Sequence, residues 1–302
     1  MASPADAPHG DGDGDGDAPR VITPAALGFV ADGDGWRKTI GGRMLTFRQL
    51  RARADFAQVE RLQRAIFGVA DRDLVPASML VVMPKTGGDI LGAFDGETLV
   101  GFLTAYGGYV ERRPRLVSDM LGVEVGWRGG LGFALKALQA ALALDAGYRE
   151  VVWTVDPLRA ANARLNFERL GAHAEQYLED LYGPDFGTAL YGGLPTDRLL
   201  VTWPIDAPRV VDCLLGTTMP RPVGALDGLP DYPAPGHGRA RLAIPADVDA
   251  LLATHPQAAR DWRFRLRAAL HEAFGRGYAI IGFAGGDGAT SYLLLDYKER
   301  EG

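Results

Sequence analysis

Three glycines in four positions, Gly129, Gly130 and Gly132, join an extended segment (116–125) to an Ala/Leu-rich segment that runs as a helix to about residue 146. A chain that passes from strand to helix through such a loop points a row of backbone N–H groups, backed by the helix dipole, at one spot. That spot suits a pyrophosphate, and glycine keeps side chains from blocking the approach of phosphate oxygens. A β-branched run at 150–155 follows, and a second helical segment at 160–170. The local order is therefore strand, loop, helix, strand, helix.

Periodicity extends this order in both directions. Residues 44–50 alternate as a strand, and 55–67 place Phe56, Val59, Leu62 and Ile66 on one helical face. Apolar runs at 90–94 and 98–106 flank Asp95-Gly96, a hairpin signal. A strand at 199–203 closes the region, which reads β-α-β-β-β-α-β-α-β over about 41–205. Residues 206–238 are rich in Pro and Gly and read as a linker. Residues 239–302 read as a small C-terminal α+β unit: a strand at 241–244, helices at 246–253 and 258–274, and strands at 278–284 and 291–297. Residues 1–40 read as a disordered Gly/Asp-rich tail, too polar to offset its own ordering entropy. Asp11, Asp13, Asp15 and Gly16 match half of a calcium loop, but the twelfth position is Ile22 where a bidentate Glu is needed.

Composition narrows the function. A net charge of −6 lacks the Lys/Arg excess that phosphate backbones require, so no nucleic-acid partner is expected. No apolar run is long enough to span a membrane, and residues 1–20 lack a basic stretch followed by an apolar one, so a cytoplasmic protein is expected. The single Cys213 excludes an internal disulfide framework, and five histidines without metal spacing give no metal site. No Gly-x-Ser-x-Gly supports a serine hydrolase.

The segment Leu121-Gly-Val-Glu-Val-Gly-Trp-Arg-Gly-Gly-Leu-Gly-Phe-Ala-Leu-Lys136 resembles the acyl-CoA loop of the GNAT superfamily of N-acyltransferases, Gln/Arg-x-x-Gly-x-Gly/Ala between a strand and a helix. Asn162-Ala-Arg-Leu-Asn-Phe-Glu-Arg-Leu-Gly-Ala172 is similar to that superfamily's Asn-x-x-Ala-x-x-x-Tyr-x-x-x-Gly-Phe helix. Asp73-Leu-Val-Pro-Ala77, Lys85-Thr-Gly-Gly88, Trp153-Thr-Val-Asp-Pro157, Leu194-Pro-Thr-Asp-Arg198 and Ile244-Pro-Ala-Asp247 are similar to a bacterial, acetyltransferase-like branch with a C-terminal extension. The likeness spans roughly residues 43–297. It implies an α/β (α+β) fold with a mixed, mostly antiparallel sheet flanked by helices, and acetyl-CoA or another acyl-CoA as cofactor.

By the same resemblance, the cofactor contacts are Leu121, Gly122, Val123, Arg128, Gly129, Gly130, Leu131, Gly132, Phe133, Ala134, Asn162 and Phe167. The reaction implied is attack of a small-molecule amine on the thioester, and a homodimer is left open. Three departures stand out. Trp127 occupies the Gln/Arg position, so either the loop is one residue short or Arg128 reaches the phosphate from a shifted register. Asn162 falls two places late. Phe167 replaces a Tyr that protonates the departing thiolate, and Phe has no proton to give. Candidate acids and bases are Asp119, Glu124, Asp156 and Tyr182, with Tyr177 as another proton source; Asp156 has hydrogen-bonding of its own turn as a competing role. A non-catalytic acyl-CoA sensor without the tyrosine acid, or an interaction module with an empty loop, are the other readings of the same residues.

Overall fold

A computed structural model describes residues 21–68, 70–110, 112–186, 191–217, 228–233, 238–285, 288 and 290–297. The extended segments are β1 (Val30–Asp32), β2 (Gly35–Ile40), β3 (Arg43–Gln49), β4 (Asp89–Asp95), β5 (Thr98–Val110), β6 (Arg113–Val123), β7 (Glu150–Val155), β8 (His173–Leu178), β9 (Arg198–Pro204), β10 (Ala240–Pro245), β11 (Tyr278–Gly285) and β12 (Thr290–Tyr297). They form one sheet in the order β1-β2-β3-β4-β5-β6-β7-β9-β8-β11-β12-β10. Every described strand pair is antiparallel except β6 with β7. The fold is thus the mixed, mostly antiparallel sheet flanked by helices.

The helices are α1 (Arg53–Phe67), α2 (Ala77–Leu80), α3 (Leu131–Asp145), α4 (Ala160–Ala163), α5 (Pro208–Leu215), α6 (Val248–Thr254) and α7 (Pro256–Gly275). Helix α1 buries Phe56, Val59 and Leu62 against Ile90, Phe94 and Phe102 on one sheet face. It stops at Gly68, whose left-handed φ of 59° a side chain would resist. Its Asp55 accepts from the Ala52 N–H and pairs with Arg48 at 2.7 Å, closing the N-terminus. Helix α3 is apolar nearly all round because it packs in the main core on the other face, with Leu131, Leu135 and Leu138 fully buried. Helix α4 widens into a π-helical stretch, Arg164–Arg169, so that the Leu170 N–H reaches back to the Leu165 carbonyl.

Three organisational expectations change. The fold begins before Gly41: Ile22, Leu27 and Phe29 are buried, Phe29 meets Phe47 edge-on at 5.1 Å, and β1 and β2 extend the sheet beyond β3. The Gly/Asp composition that suggested a tail through residue 40 belongs to residues 1–20, which lie outside the described residues. Within 206–238, α5 docks Val210, Val211 and Leu214 in the core, started by Pro208 at its first turn and ended at Gly216; residues 218–227 and 234–237 lie outside the described residues. The C-terminal segment continues the same sheet, with β11 meeting β8 at Ile280 and Ala174.

Candidate functional site

Strands β6 and β7 run side by side only at Leu116–Val151 and Val117–Val152. Beyond that point β7 keeps its pairing with β9 to its end and β6 keeps its pairing with β5, so the two parallel strands part. The register explains the parting. Ala105 faces Ser118 while Thr104 faces Met120, which leaves Asp119 as an extra residue that bends β6. The Glu124 N–H donates to the Val100 carbonyl of β5 at 3.0 Å. Alternation along the strand then turns the N–H groups of Leu121 and Val123 toward the opening, and that of Gly122 toward β5.

At the wide end of the opening, Gly129 takes φ 101° and Gly130 φ 156°, backbone angles that favour glycine. The Ala134 N–H makes the first helical bond, to the Gly130 carbonyl. Among the described residues the N–H groups of Gly130, Leu131, Gly132 and Phe133 meet no acceptor. A Cβ at Gly132 would rest 3.6 Å from Leu121, an ordinary contact. Trp127 is buried, with the Arg43 guanidinium 3.2 Å from its ring centroid, and Arg128 is exposed. The side chain in the Gln/Arg position is therefore a packing group.

At the bulge, the Asp119 carboxylate accepts from the Thr104 hydroxyl at 3.4 Å. It is exposed at the cleft rim, and the partial desolvation by surrounding atoms raises its pKa above the ordinary carboxylate value. Tyr106 lies two residues from Thr104 on the same face of β5. Burial raises its pKa, and Asp119 and Tyr182 lie near enough to add to the rise. The Tyr182 hydroxyl is 2.8 Å from the Thr154 hydroxyl of β7, and its ring lies 4.6 Å from Phe186. Acid, tyrosines and strand opening thus meet on the sheet face that also carries α1.

No protein-family profile and no curated protein matches the chain. Solved GNAT-family structures resemble it. One, described as a GNAT-family acetyltransferase from Desulfovibrio desulfuricans, is 17% identical and covers 53% of this chain and 99% of its own, with a TM-score of 0.43. Another, an acetyltransferase-like protein of Salmonella typhimurium with acetyl-CoA, is 17% identical over 54% of this chain and 95% of its own, TM-score 0.43. An aminoglycoside acetyltransferase from an uncultured soil metagenomic sample is 24% identical over 37% of this chain and 78% of its own, TM-score 0.34.

The remaining candidates separate from this cleft. Asp156 is buried, and Arg263 of α7 grips both its oxygens at 2.9 and 2.7 Å while the Leu158 N–H donates to it at 2.9 Å. Burial alone would raise its pKa, but the guanidinium outweighs that and holds it low. An acid so engaged is a structural anchor, which corrects its candidacy as a base. Glu124 lies at the far end of β6, 3.4 Å from Arg61. Tyr177 is also withdrawn: its buried hydroxyl donates to Asp197 at 2.6 Å, and burial together with that carboxylate pushes its pKa up. Phe167, expected beside the cofactor, lies in the π-helical stretch and is 1% exposed, packed in the main core. Asn162 is exposed on α4.

Lys136 is the one charged residue of the apolar α3 before its last residue, Asp145. It is buried on the opposite face, beneath the point where the strands part. Its amine nitrogen donates to Ser118 at 3.1 Å and to Gln139 at 2.9 Å, and lies 3.7 Å from the Trp153 ring centroid. No carboxylate lies within ion-pair distance among the described residues, and burial drives its pKa well below the ordinary lysine value. A lone Lys in a run of Ala and Leu is the only signal the sequence offered for it. Tyr106, Thr154 and Arg263 left no signal of their own.

Proposed function

We propose that the chain is an acyl-CoA-dependent N-acyltransferase that moves an acyl group, acetyl by the resemblance, onto the amine of a small molecule. The observation that supports this best is the parting of β6 from β7, which leads from unbonded N–H groups at the start of α3 to the acid of the Asp119 bulge. Acyl-CoA supplies the activated thioester. The N–H groups of Gly130, Leu131, Gly132 and Phe133 would hold its phosphates, and those of Leu121 and Val123 its amide-bearing arm. A Cβ at Gly132 would only reach van der Waals contact with Leu121, so a side chain can be placed there without forcing the loop apart.

Asp119 takes the proton that an alkyl ammonium must lose before it can attack. An amine of pKa about 10 is mostly charged at neutral pH, and a raised carboxylate pKa narrows the gap between acceptor and donor. Tyr182, with its hydroxyl on Thr154, is the proton donor for the leaving thiolate in place of the buried Phe167.

The test is Gly132→Asp. A carboxylate in the first turn of α3 suits the helix dipole, so the folded state is kept or stabilised by about 0.3–1 kcal/mol. It would repel phosphate, and calorimetry should read CoA affinity at least about tenfold weaker, about 1.4 kcal/mol. Unchanged CoA affinity in the folded variant refutes the loop as the phosphate site. Thioester turnover with an amine separates the enzyme from a sensor that binds acyl-CoA and stops there.

A further inference from the structure

The cleft beside Asp119 carries a second, finer property, which rests on the acyltransferase reading. Its walls are aromatic and nearly neutral. Tyr106 is 39% exposed and Tyr182 45%, and Tyr106 has no ring partner among the described residues, so a flat face is left for a ligand. The charges behind the wall are matched. Arg198 is sandwiched near the Tyr182 and Tyr191 rings, at 5.0 and 4.7 Å, and lies close enough to Asp156 to lower that acid's pKa. Arg263 is bound to Asp156, Arg267 to Asp197 and Glu179, and Arg159 to Asp249. Asp180 is occupied by the Thr196 N–H and hydroxyl.

Asp119 differs from all of these. Its one described hydrogen bond comes from the neutral Thr104, and no cation stands within ion-pair distance among the described residues. A carboxylate without a cation, held by Thr104 beside open tyrosine faces, is complementary to one positive charge on an apolar, planar body. Several positive charges would find one carboxylate and then the guanidinium groups behind the wall.

We propose that the acceptor is a monocationic primary amine on an aromatic body, with its nitrogen at Asp119 and its ring against Tyr106. Asp119 thereby both selects the charge and takes the proton, and Tyr106 sets specificity.

The experiment titrates the full chain, with CoA present, with 2-phenylethylamine, ethylamine and spermidine, followed by calorimetry and by ligand-observed magnetic resonance. The same amines are assayed for thiol release from acetyl-CoA. The expected result is 2-phenylethylamine binding at least about tenfold tighter than either of the others. Tyr106→Ala weakens 2-phenylethylamine more than ethylamine and so removes that preference, Tyr106→Phe retains it, and Asp119→Asn weakens 2-phenylethylamine by about tenfold or more. Spermidine binding tighter than 2-phenylethylamine, a preference that survives Tyr106→Ala, or no binding of 2-phenylethylamine overturns the inference. Thiol release with any other amine would then leave the acyltransferase reading standing. Conversely, binding that follows the expected pattern without thiol release from any amine supports the cleft assignment and counts against the enzyme.

Discussion

Lys136 gives the sharpest physical test of the structure. Only 3% of the residue is exposed, and its nitrogen is held by two neutral groups, Ser118 and Gln139, and two indole rings. Burial disfavours the ammonium, so the folded chain gives up this proton at a lower pH than the unfolded chain. Between the lowered folded value and the unfolded value of about 10.4, the unfolded state carries more protons. Stability then rises with pH at about 1.4 kcal/mol per pH unit, and it falls as pH drops through that window. Lys136→Met keeps the length of the side chain and removes the proton. At about pH 9.5 the variant should be less stable by about 1–3 kcal/mol, because Ser118 and Gln139 lose their donor. Going from about pH 9.5 to about pH 8 costs the wild-type chain stability that the variant does not lose, at up to about 1.4 kcal/mol for each pH unit inside that window. Urea unfolding of both chains at the two pH values measures this, since every other titrating group is shared and cancels in the difference. A difference between the chains that stays constant with pH refutes the uncharged buried lysine. A wild-type chain that gains stability on acidification relative to the variant refutes it more strongly.

Two further outcomes follow from other parts of the fold. Arg263→Leu leaves Asp156 buried without its cation and should cost about 3–5 kcal/mol in chemical unfolding, while Arg263→Leu combined with Asp156→Asn should recover part of that loss; a single variant as stable as wild type would show that the pair holds nothing. A chain beginning at Gly41 loses the buried Ile22, Leu27 and Phe29 and uncovers Phe47, so at about 1.5–3 kcal/mol per large apolar side chain its urea midpoint should fall steeply. An unchanged midpoint would mean that β1 and β2 add nothing to the sheet.

What the sequence determined by itself was local. The period of Phe56, Val59 and Leu62 specifies α1, Asp95-Gly96 turns β4 into β5, and the loop of Gly129, Gly130 and Gly132 starts α3, because propensity, turn geometry and capping act within a few residues. The strands and helices after residue 239 were legible for the same reason. The tertiary structure alone decided which polar groups are free to react. Asp156 could be read as a base or as the acceptor for its own turn; the Leu158 N–H bond and Arg263, 107 residues away, decide for the structural role. Asp119 gained its significance from a one-residue register slip against β5, and Tyr182 from the hydroxyl of Thr154, 28 residues earlier. The Gly/Asp-rich start of the chain hid β1 and β2, which pair with each other and with β3 while the adjoining Phe29 packs on Phe47. Burial and charge pairing are properties of what surrounds a side chain, and those surroundings are assembled from strands and helices that lie far apart in the chain.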